Sequence, residues 1–497
     1  MYLKIMIGAA LLLQLGILVG FFGFPQLMNK MIKSQINLKP GSDTRKLWEQ
    51  FPIAINFSIY VFNLTNPEET QNGGKPVLQE IGPFVFEEWK DKYNIEDIEE
   101  EDAVTFNMRN TFIFRPDLGL SGEEIVTIPH PLIQVMAIAI KRDKEALLEV
   151  VVDGINVLFK PTSPFVTAPF MDIFYRGIDI DCSSDHYAAK LICLKFYTGD
   201  IKGGFQVNAT HFKFSLMGGG NHSDAGQFKV SRGIKVSRNV GQVLQFDYED
   251  ELSVWDGDEC NRFRGTDSTI FAPLMSPKDG LWSFSGDLCR SLGPKFQRKV
   301  KYDGIPAYRY TMDFGDVKNE LENHCFCNKY PDDCPAKGTM DLWRCNETPM
   351  IASLPHFLYA DSKLLAGVDG LEPQEQKHSI FVDFEIISGT PLSVAKRLQF
   401  NLDVIPIEQL KVMQKLRPLV MPLFWVEESA NLDGSFTDMI KKKIFLVIKV
   451  NSTIKWISIV MGAFLFILAF YMHYTNKRDR KVFAVGVAAQ NEFNKKY

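Results

Sequence analysis

Two long apolar runs without any charge lie near the two ends of the chain, at Ile5–Phe24 and Trp456–Met472. Each is about long enough to cross the ~30 Å hydrocarbon layer of a membrane as a helix. Aromatic residues such as Trp456 and Tyr474 stand where interfacial aromatics are found. The pattern therefore predicts two membrane helices and two terminal segments. Their bounds are 5–24 and 456–474 for the helices, and 1–4 and 475–497 for the segments.

Between these runs, aromatic and β-branched residues alternate with polar ones in several short stretches. Such alternation, next to Gly, Pro, Asn or Asp, is typical of half-buried strands. The clearest examples are Phe57–Leu64, Val104–Arg115, Ala307–Phe314 and Ser379–Ile386. One segment, Pro131–Lys160, instead carries apolar residues at helical spacing on both sides of a charged KRDKE sequence, and prolines then end it. The pattern predicts an α+β domain, rich in strands, with an early helical insertion.

The first apolar run also has features of a cleaved signal peptide. Its apolar core is longer than is usual for a signal peptide, and no clear small-x-small cleavage site precedes Gln26. We therefore expect an uncleaved membrane anchor.

Charges and modification sites predict that the middle of the chain lies outside the cytosol. The basic sequence KRDRK, Lys477–Lys481, favours a cytoplasmic tail, whereas the lysines around the first run do not settle its orientation. All eight cysteines and all Asn-x-Ser/Thr triplets lie between the runs. We therefore predict a two-pass plasma-membrane protein with both termini in the cytoplasm and a glycosylated extracellular domain over residues 25–455. The predicted acceptors are Asn56, Asn63, Asn208, Asn221, Asn346 and, as the least favoured, Asn451.

The stretch HCFCNKYPDDC, His324–Cys334, could hold a metal, carry out redox chemistry or close disulfides. Zinc sites usually use C-x2–4-C pairs, whereas the spacings here are C-x-C, then six residues, then ten. Thiols oxidise outside the cytosol, so we expect disulfides and no metal, with His324 at the surface or in packing. An even count suits four bonds, or three bonds and two thiols, and spacing alone does not give the pairing. The cysteines are Cys182, Cys193, Cys260, Cys289, Cys325, Cys327, Cys334 and Cys345.

Composition and motifs argue against several classes of function. The net charge of −5 gives no sign of a nucleic-acid partner. No HExxH, GxSxG or Walker sequence appears, so we expect no enzymatic activity and no cofactor. We interpret the acidic run Glu96–Asp102 as a solvated loop, and the glycine-rich segment Met217–Gly226 as a hairpin turn.

Several longer motifs, in fixed order, resemble the class B scavenger receptor family over nearly the whole chain. They include LQEIGPFVFEEW (Leu78–Trp89), WDGDECNRFRGTDSTIFAP (Trp255–Pro273), GDLCRSL (Gly286–Leu292), CFC (Cys325–Cys327), ASLPHFLYAD (Ala352–Asp361) and AKRLQFNL (Ala395–Leu402). Three further stretches look most like the insect sensory neuron membrane proteins within that family, with the type-one branch closer than the type-two branch. They are Leu38–Pro52, Pro129–Ile133 and Thr339–Cys345.

This resemblance implies an irregular antiparallel β-barrel, a helical cluster that caps its apex, and a hydrophobic tunnel that runs toward the bilayer. It also implies the pairs Cys260–Cys325, Cys289–Cys345 and Cys327–Cys334, while Cys182 and Cys193 form a fourth bond or stay free. The helical insertion falls where the family has its apex, and a ligand-site lysine of the family falls around Lys160. The residues that we predict at the mouth of the tunnel are Leu147, Val151, Ile155, Phe159, Lys160, Phe165, Phe170 and Phe174. The alternative for each of them is plain packing of a helical hairpin.

The function that the resemblance implies is that of a lipid-handling receptor or co-receptor in olfactory neurons. It would capture pheromones or fatty-acid derivatives and pass them to the membrane or to an odorant receptor complex, with odorant-binding proteins as further partners. A scavenger receptor for lipoprotein, fatty acid or apoptotic-cell lipid is one alternative. A ligand-gated two-span channel is the other, although Ser458 and Gly462 are the only small or polar candidates for a pore lining in the second run.

Overall fold

The computed structural model describes residues 2–494, and the two ends of this range are helical over long distances. The chain divides into two compact units: Gln35–Leu432, and the residues up to Ser34 together with those from Asp433 onward. The helices are α1 (Tyr2–Leu18), α2 (Phe24–Gln35), α3 (Asp43–Glu49), α4 (Pro67–Gln71), α5 (Ile133–Asp143), α6 (Leu148–Phe159), α7 (Tyr187–Tyr197), α8 (Asp258–Asn261), α9 (Trp343–Asn346), α10 (Ser362–Ala366), α11 (Glu375–His378), α12 (Gly434–Ile440) and α13 (Leu446–Asn494).

The strands lie in the unit Gln35–Leu432. They are β1 (Ile55–Leu64), β2 (Leu78–Ile98), β3 (Ala103–Phe114), β4 (Ile125–Pro129), β5 (Phe165–Pro169), β6 (Ile178–Asp181), β7 (Gly204–Gln206), β8 (His211–Phe214), β9 (Asp224–Ser231), β10 (Val243–Phe246), β11 (Ser283–Ser285), β12 (Arg290–Leu292), β13 (Lys295–Tyr302), β14 (Ile305–Met312), β15 (Thr339–Asp341), β16 (Met350–Ser353), β17 (Ile380–Glu385), β18 (Thr390–Val404) and β19 (Leu419–Asn431).

Both predicted membrane helices lie inside longer helical stretches, Tyr2–Gln35 and Gly434–Ala489, that are long and apolar enough to cross a membrane. Small residues let α1 and α13 pack closely. A Cβ atom added at Gly16 would lie 2.9 Å from Cβ of Ser458, and one added at Gly462 would lie 2.9 Å from the backbone nitrogen of Leu13. Close approach through small residues is the usual way in which membrane helices associate. Ser458 and Gly462 therefore face the first helix, which argues against a pore lined by them.

A large antiparallel sheet forms the framework of the middle unit. Its strand order is β10-β9-β3-β2-β1-β19-β18-β17-β14-β13, with β16 beside β18 and β15 beside β16. At its centre, Phe57 of β1 lies opposite both Phe86 of β2 and Glu428 of β19. Among residues 2–494 the end strands β10 and β13 are not paired with each other, so closure into a barrel stays a prediction. The predicted α+β class is confirmed.

The four stretches with alternating patterns are all strands, and their bounds shift by at most two residues from those predicted. In β1, Phe57, Ile59 and Val61 are buried because their side chains project from one face of the strand. The helical insertion is also confirmed, but it splits at Lys144 into α5 and α6. The charged residues Lys141–Glu145 interrupt the apolar face of the helix, so a single packed helix does not continue through them.

One local prediction holds in part and another is wrong. Of the acidic run, Glu99–Glu101 form an exposed turn as expected, but β2 continues to Ile98 and Asp97 accepts hydrogen bonds from the buried Arg45 and Arg232. Buried arginines need such carboxylate partners. The segment Met217–Gly226 is not a hairpin turn, since it joins β8 to β9 and these strands belong to different sheets.

All eight cysteines are paired in the structure. The bonds are Cys182–Cys193, Cys260–Cys325, Cys289–Cys345 and Cys327–Cys334. The last three are the pairs that the family resemblance implies, and the first one leaves no thiol free. His324 stacks on the ring of Tyr330 with 3.9 Å between ring centroids, so it takes part in packing.

Candidate functional site

The helices α5, α6 and α7, which we call the helical cluster, carry the first group of predicted ligand residues. On α6 the buried side is formed by Leu148, Val152 and Ile155, at the spacing of one helix face. Leu147 is half exposed at the start of this helix, and Val151 and Phe159 are half-buried on it. Lys160 is exposed and ends the helix in a left-handed conformation with φ of 43°. Only the ends of α6 therefore present predicted residues to solvent.

The remaining predicted residues, Phe165, Phe170 and Phe174, are buried. Phe170 stacks on Phe84 with 3.6 Å between ring centroids and lies 4.5 Å from Phe174. Phe174 in turn makes an edge contact with Phe424 of β19 at 5.1 Å. Phe170 and Phe174 thus belong to the interior of the sheet rather than to an open mouth.

These rings are part of a longer series that the sequence interpretation missed. Phe86 lies 6.5 Å from Phe170 and from Phe57, and Phe57 lies 4.9 Å from Phe112. We call this connected set the ring chain. Its members are Phe57, Phe84, Phe86, Phe112, Phe114, Phe170, Phe174, Tyr175, Phe400 and Phe424. The alternating aromatic residues of β1 and β2 indicate that rings lie on one face of each strand. Which rings contact one another depends on the pairing of strands that are distant in sequence.

A buried polar group adjoins the ring chain on the same face of β2. Glu88, two residues after Phe86, is buried, and burial together with the Glu428 carboxylate raises its pKa to about 7. Burial also opposes the charge of Glu428, but Lys90 and Lys396 outweigh it and lower the pKa of that carboxyl. Lys90 donates to Glu428. The interior therefore combines an apolar series of rings with one paired set of charges.

His130 is a buried residue just before α5, the first helix of the helical cluster. Its Nδ1 accepts hydrogen bonds from the backbone nitrogens of Leu132 and Ile133, and its ring lies 5.6 Å from that of Phe159. Burial lowers the pKa of His130 to about 4. The neutral ring is therefore the form that the folded protein holds.

Stability should fall in acid because of His130, and the variant His130→Asn should weaken that dependence. The folded pKa lies below the ordinary value, so the unfolded chain binds the proton more tightly and the free energy of unfolding decreases as pH falls from about 6.5 to about 4. Between pH 7 and pH 5 the loss amounts to about 2 kcal/mol. Asparagine keeps an acceptor but does not titrate.

The measurement is the midpoint of thermal unfolding of the full-length protein in detergent at both pH values. The exposed His186→Asn variant serves as the control and should behave like the unmodified protein. Equal pH dependence in His130→Asn and the unmodified protein would contradict the role of His130.

One cluster has the composition of a metal site. Glu80, His356 and His378 bring their ligand atoms within 4.8 Å of one another. However, the Nδ1 atoms of the two histidines accept hydrogen bonds from the backbone nitrogens of Glu372 and Gln374, at 3.0 Å each. Because each Nδ1 accepts a hydrogen bond, the proton of each ring lies on Nε2, and Nε2 of His356 donates to the Glu80 carboxylate at 2.6 Å. A metal ion bound to Nε2 would require the proton on Nδ1 instead. The three side chains therefore do not fit a metal site, and the hydrogen bond from His356 to Glu80 connects a loop to β2.

One groove of the middle unit lies away from the predicted ligand residues. Its volume is about 440 Å³, and Phe263, Met275 and Trp282 are among its lining residues. Its two arginines are already paired, Arg238 with Asp279 and Arg264 with Glu259. A small cavity of about 10 Å³ reaches one predicted residue, Phe165.

The predicted glycan acceptors differ in exposure. Asn56 and Asn208 are exposed, whereas Asn63 and Asn346 are half-buried. The side-chain amide of Asn221 pairs with both the backbone nitrogen and the backbone oxygen of Phe112. Asn451 lies inside α13, and its Nδ2 is 3.5 Å from the carbonyl oxygen of Gly20. Glycosylation at all six stays a prediction, and the geometry favours Asn56 and Asn208.

Comparison with known proteins supplies the family. The model of the CD36 family matches residues 6–473 of this chain. Sensory neuron membrane protein 1 of Anopheles gambiae is 45% identical over 467 residues, which cover 92% of this chain and 85% of that protein. The proteins of the same name from Plutella xylostella and Manduca sexta are 40% and 41% identical, over 96% and 90% of this chain and 91% and 86% of their own lengths. The resemblance drawn from the motifs is confirmed: the chain belongs to the CD36 family of class B scavenger receptors.

Proposed function

We propose that this protein is a two-pass membrane receptor without enzymatic activity that handles hydrophobic ligands in insect olfaction. Pheromones or other fatty-acid derivatives bind at the helical cluster, enter the interior of the sheet, and pass to the membrane or to a neighbouring odorant receptor complex. Odorant-binding proteins would deliver the ligand. The family and the names of its relatives support the olfactory role.

The ring chain is the observation that carries this proposal. It connects Phe174 and Phe424 through Phe170 and Phe86 to Phe57 and Phe112, so apolar rings follow one another without a gap through this part of the sheet interior. Burial of each CH2 group contributes about 0.8 kcal/mol, so a ligand of about twelve carbons gains about 10 kcal/mol before ordering costs. Micromolar affinity needs about 8 kcal/mol. The rings contact one another, so transfer requires them to move apart.

The proposed topology has both termini in the cytoplasm and residues 25–455 outside the cell. It rests on the two terminal apolar helices, on the basic run Lys477–Lys481, and on the four disulfides. Protease applied to intact cells should leave tags at both termini uncut, and digestion of either tag would contradict the topology.

Uptake of a fluorescent long-chain ligand tests the site at the helical cluster. Leu147→Glu places a charge on an exposed apolar contact, so the initial rate of uptake should fall roughly three- to tenfold. Lys160→Met keeps the apolar stem and removes the ammonium, so it should slow uptake of a fatty acid but not of its ester. Cells expressing each variant at equal surface levels are compared with unmodified protein.

The matched control is Leu321→Glu, which changes an exposed leucine on a different segment of the same unit. It should take up ligand at the unmodified rate. If Leu147→Glu and Leu321→Glu behave alike, the ligand does not bind at the start of α6. If Lys160→Met slows acid and ester equally, the lysine does not contact the carboxylate.

A further inference from the structure

Three polar groups in the sheet interior have fewer hydrogen-bond partners than their burial requires. Glu88 is only 3% exposed, and its Oε1 lies 3.4 Å from Nζ of Lys90, whereas its Oε2 has no partner in the described part of the chain. Oδ1 of Asn110 is also buried without a partner there. The hydroxyl of Tyr175 donates to the sulfur of Met217 at 4.0 Å, and a thioether is a weak acceptor. Buried polar atoms are normally paired, so these groups can accommodate a ligand that supplies the missing bonds.

The register of the strands places these groups beside the ring chain. Glu88 lies opposite Phe112 of β3, and Phe86 precedes Glu88 by two residues on the same face of β2. Asn110 precedes Phe112 by two residues and shares that face. Tyr175 stacks on Phe86 with 4.6 Å between ring centroids. A ligand chain that lies among the rings would therefore have one end at these polar groups. We call Glu88, Asn110 and Tyr175 the interior polar site.

We propose that the interior polar site binds the hydroxyl head group of a long-chain alcohol, whose alkyl chain lies along the ring chain. A hydroxyl has one donor and two acceptor lone pairs. Its O–H group donates to Oε2 of Glu88, with Oδ1 of Asn110 as a second acceptor. Its oxygen accepts from the hydroxyl of Tyr175, which keeps its proton because burial and the Glu88 carboxylate raise its pKa.

The donor distinguishes an alcohol from the other head groups of fatty-acid derivatives. An ester or an ether has acceptors but no donor, so it leaves Oε2 of Glu88 unpaired. A carboxylate also lacks a donor, and the like charges of Glu88 and Glu428 repel it. The inference rests on the proposed entry of ligands into the sheet interior, and it adds the chemical class that the interior selects.

Displacement of a fluorescent long-chain probe from the purified full-length protein in detergent tests the proposal. Dodecanol and dodecyl methyl ether share the alkyl chain and the oxygen acceptor, but only the alcohol has a donor. At about pH 8 the Glu88 carboxyl, whose pKa is about 7, is largely ionised. A hydrogen bond to a buried carboxylate is strong, so Glu88→Leu should lower the ratio of alcohol to ether affinity roughly tenfold. Partition of each compound into detergent is the same for all variants, so it does not affect this comparison.

Glu87→Leu is the matched control, because Glu87 precedes Glu88 on the opposite face of β2 and pairs with Arg115. It should leave the affinity ratio unchanged. Glu88→Gln keeps the size and an acceptor but loses the charge, so it should lower the ratio roughly threefold even if Glu88→Leu does not fold.

The affinity ratio also gives the outcomes that contradict the proposal. An unchanged ratio in Glu88→Leu would overturn the interior polar site, and so would an unchanged ratio in Glu88→Gln where only that variant folds. An equal decrease in Glu87→Leu would overturn it as well. If neither dodecanol nor its ether displaces the probe from the unmodified protein, the proposed entry of ligands fails, and this inference fails with it.

Discussion

Replacing Phe170 by aspartate is expected to prevent the protein from reaching the cell surface. The ring is fully buried, stacked on Phe84 and in contact with Phe174, so the carboxylate would have no solvent and no partner. The milder Phe170→Ala should cost about 3–5 kcal/mol through lost contacts and a cavity, which is a large part of a typical stability of about 5–15 kcal/mol. Phe170→Leu keeps most of the volume and should cost clearly less than Phe170→Ala.

Surface staining and the midpoint of thermal unfolding of the full-length protein in detergent measure this series. Phe205→Asp is the control, since Phe205 is an exposed phenylalanine on the edge strand β7 and should change stability by about 0.5 kcal/mol or less. Normal surface expression of Phe170→Asp with an unchanged midpoint would mean that the ring borders a solvated passage. That result would contradict the closed ring chain and would favour an open tunnel.

The second large effect is expected from the disulfides that close long loops. Cys260–Cys325 and Cys289–Cys345 span 65 and 56 residues, whereas Cys182–Cys193 and Cys327–Cys334 span 11 and 7. A disulfide restricts the unfolded chain more strongly when its loop is longer. The chain-entropy relation gives a stabilisation of about 4 kcal/mol for Cys260–Cys325 and for Cys289–Cys345, about 3 kcal/mol for Cys182–Cys193 and about 2 kcal/mol for Cys327–Cys334. Replacing both cysteines of a pair by serine should therefore lower stability in that order.

Unfolding midpoints of the four double-serine variants check the order, and peptide mapping without reduction checks the remaining bonds in each. The variant Cys327→Ser/Cys334→Ser is the internal comparison, because it also removes one disulfide but opens the shortest loop. If it loses as much stability as the Cys289→Ser/Cys345→Ser variant, loop closure does not account for the contribution of these bonds.

Local patterns in the sequence determined which segments are helices and strands. The apolar runs at both ends, the alternation in Phe57–Leu64 and the helical spacing in Pro131–Lys160 all depend on neighbours a few residues apart, and each corresponds to an element of the structure. The motifs also determined the family, because they are short stretches in fixed order. Closure of the barrel stays a prediction, since pairing of the end strands is not a local property.

Tertiary packing alone decided which candidate ligand residues are accessible. Leu147 and Phe170 lie in the same predicted insertion and its sequel, yet the first is exposed and the second is enclosed by Phe84, which is far away in the chain. Packing also decided the partner of Asp97, which lies in β2 and accepts a hydrogen bond from the distant Arg232. Burial depends on contacts between segments that are distant in sequence, and a local pattern does not show which distant segment packs against a given residue.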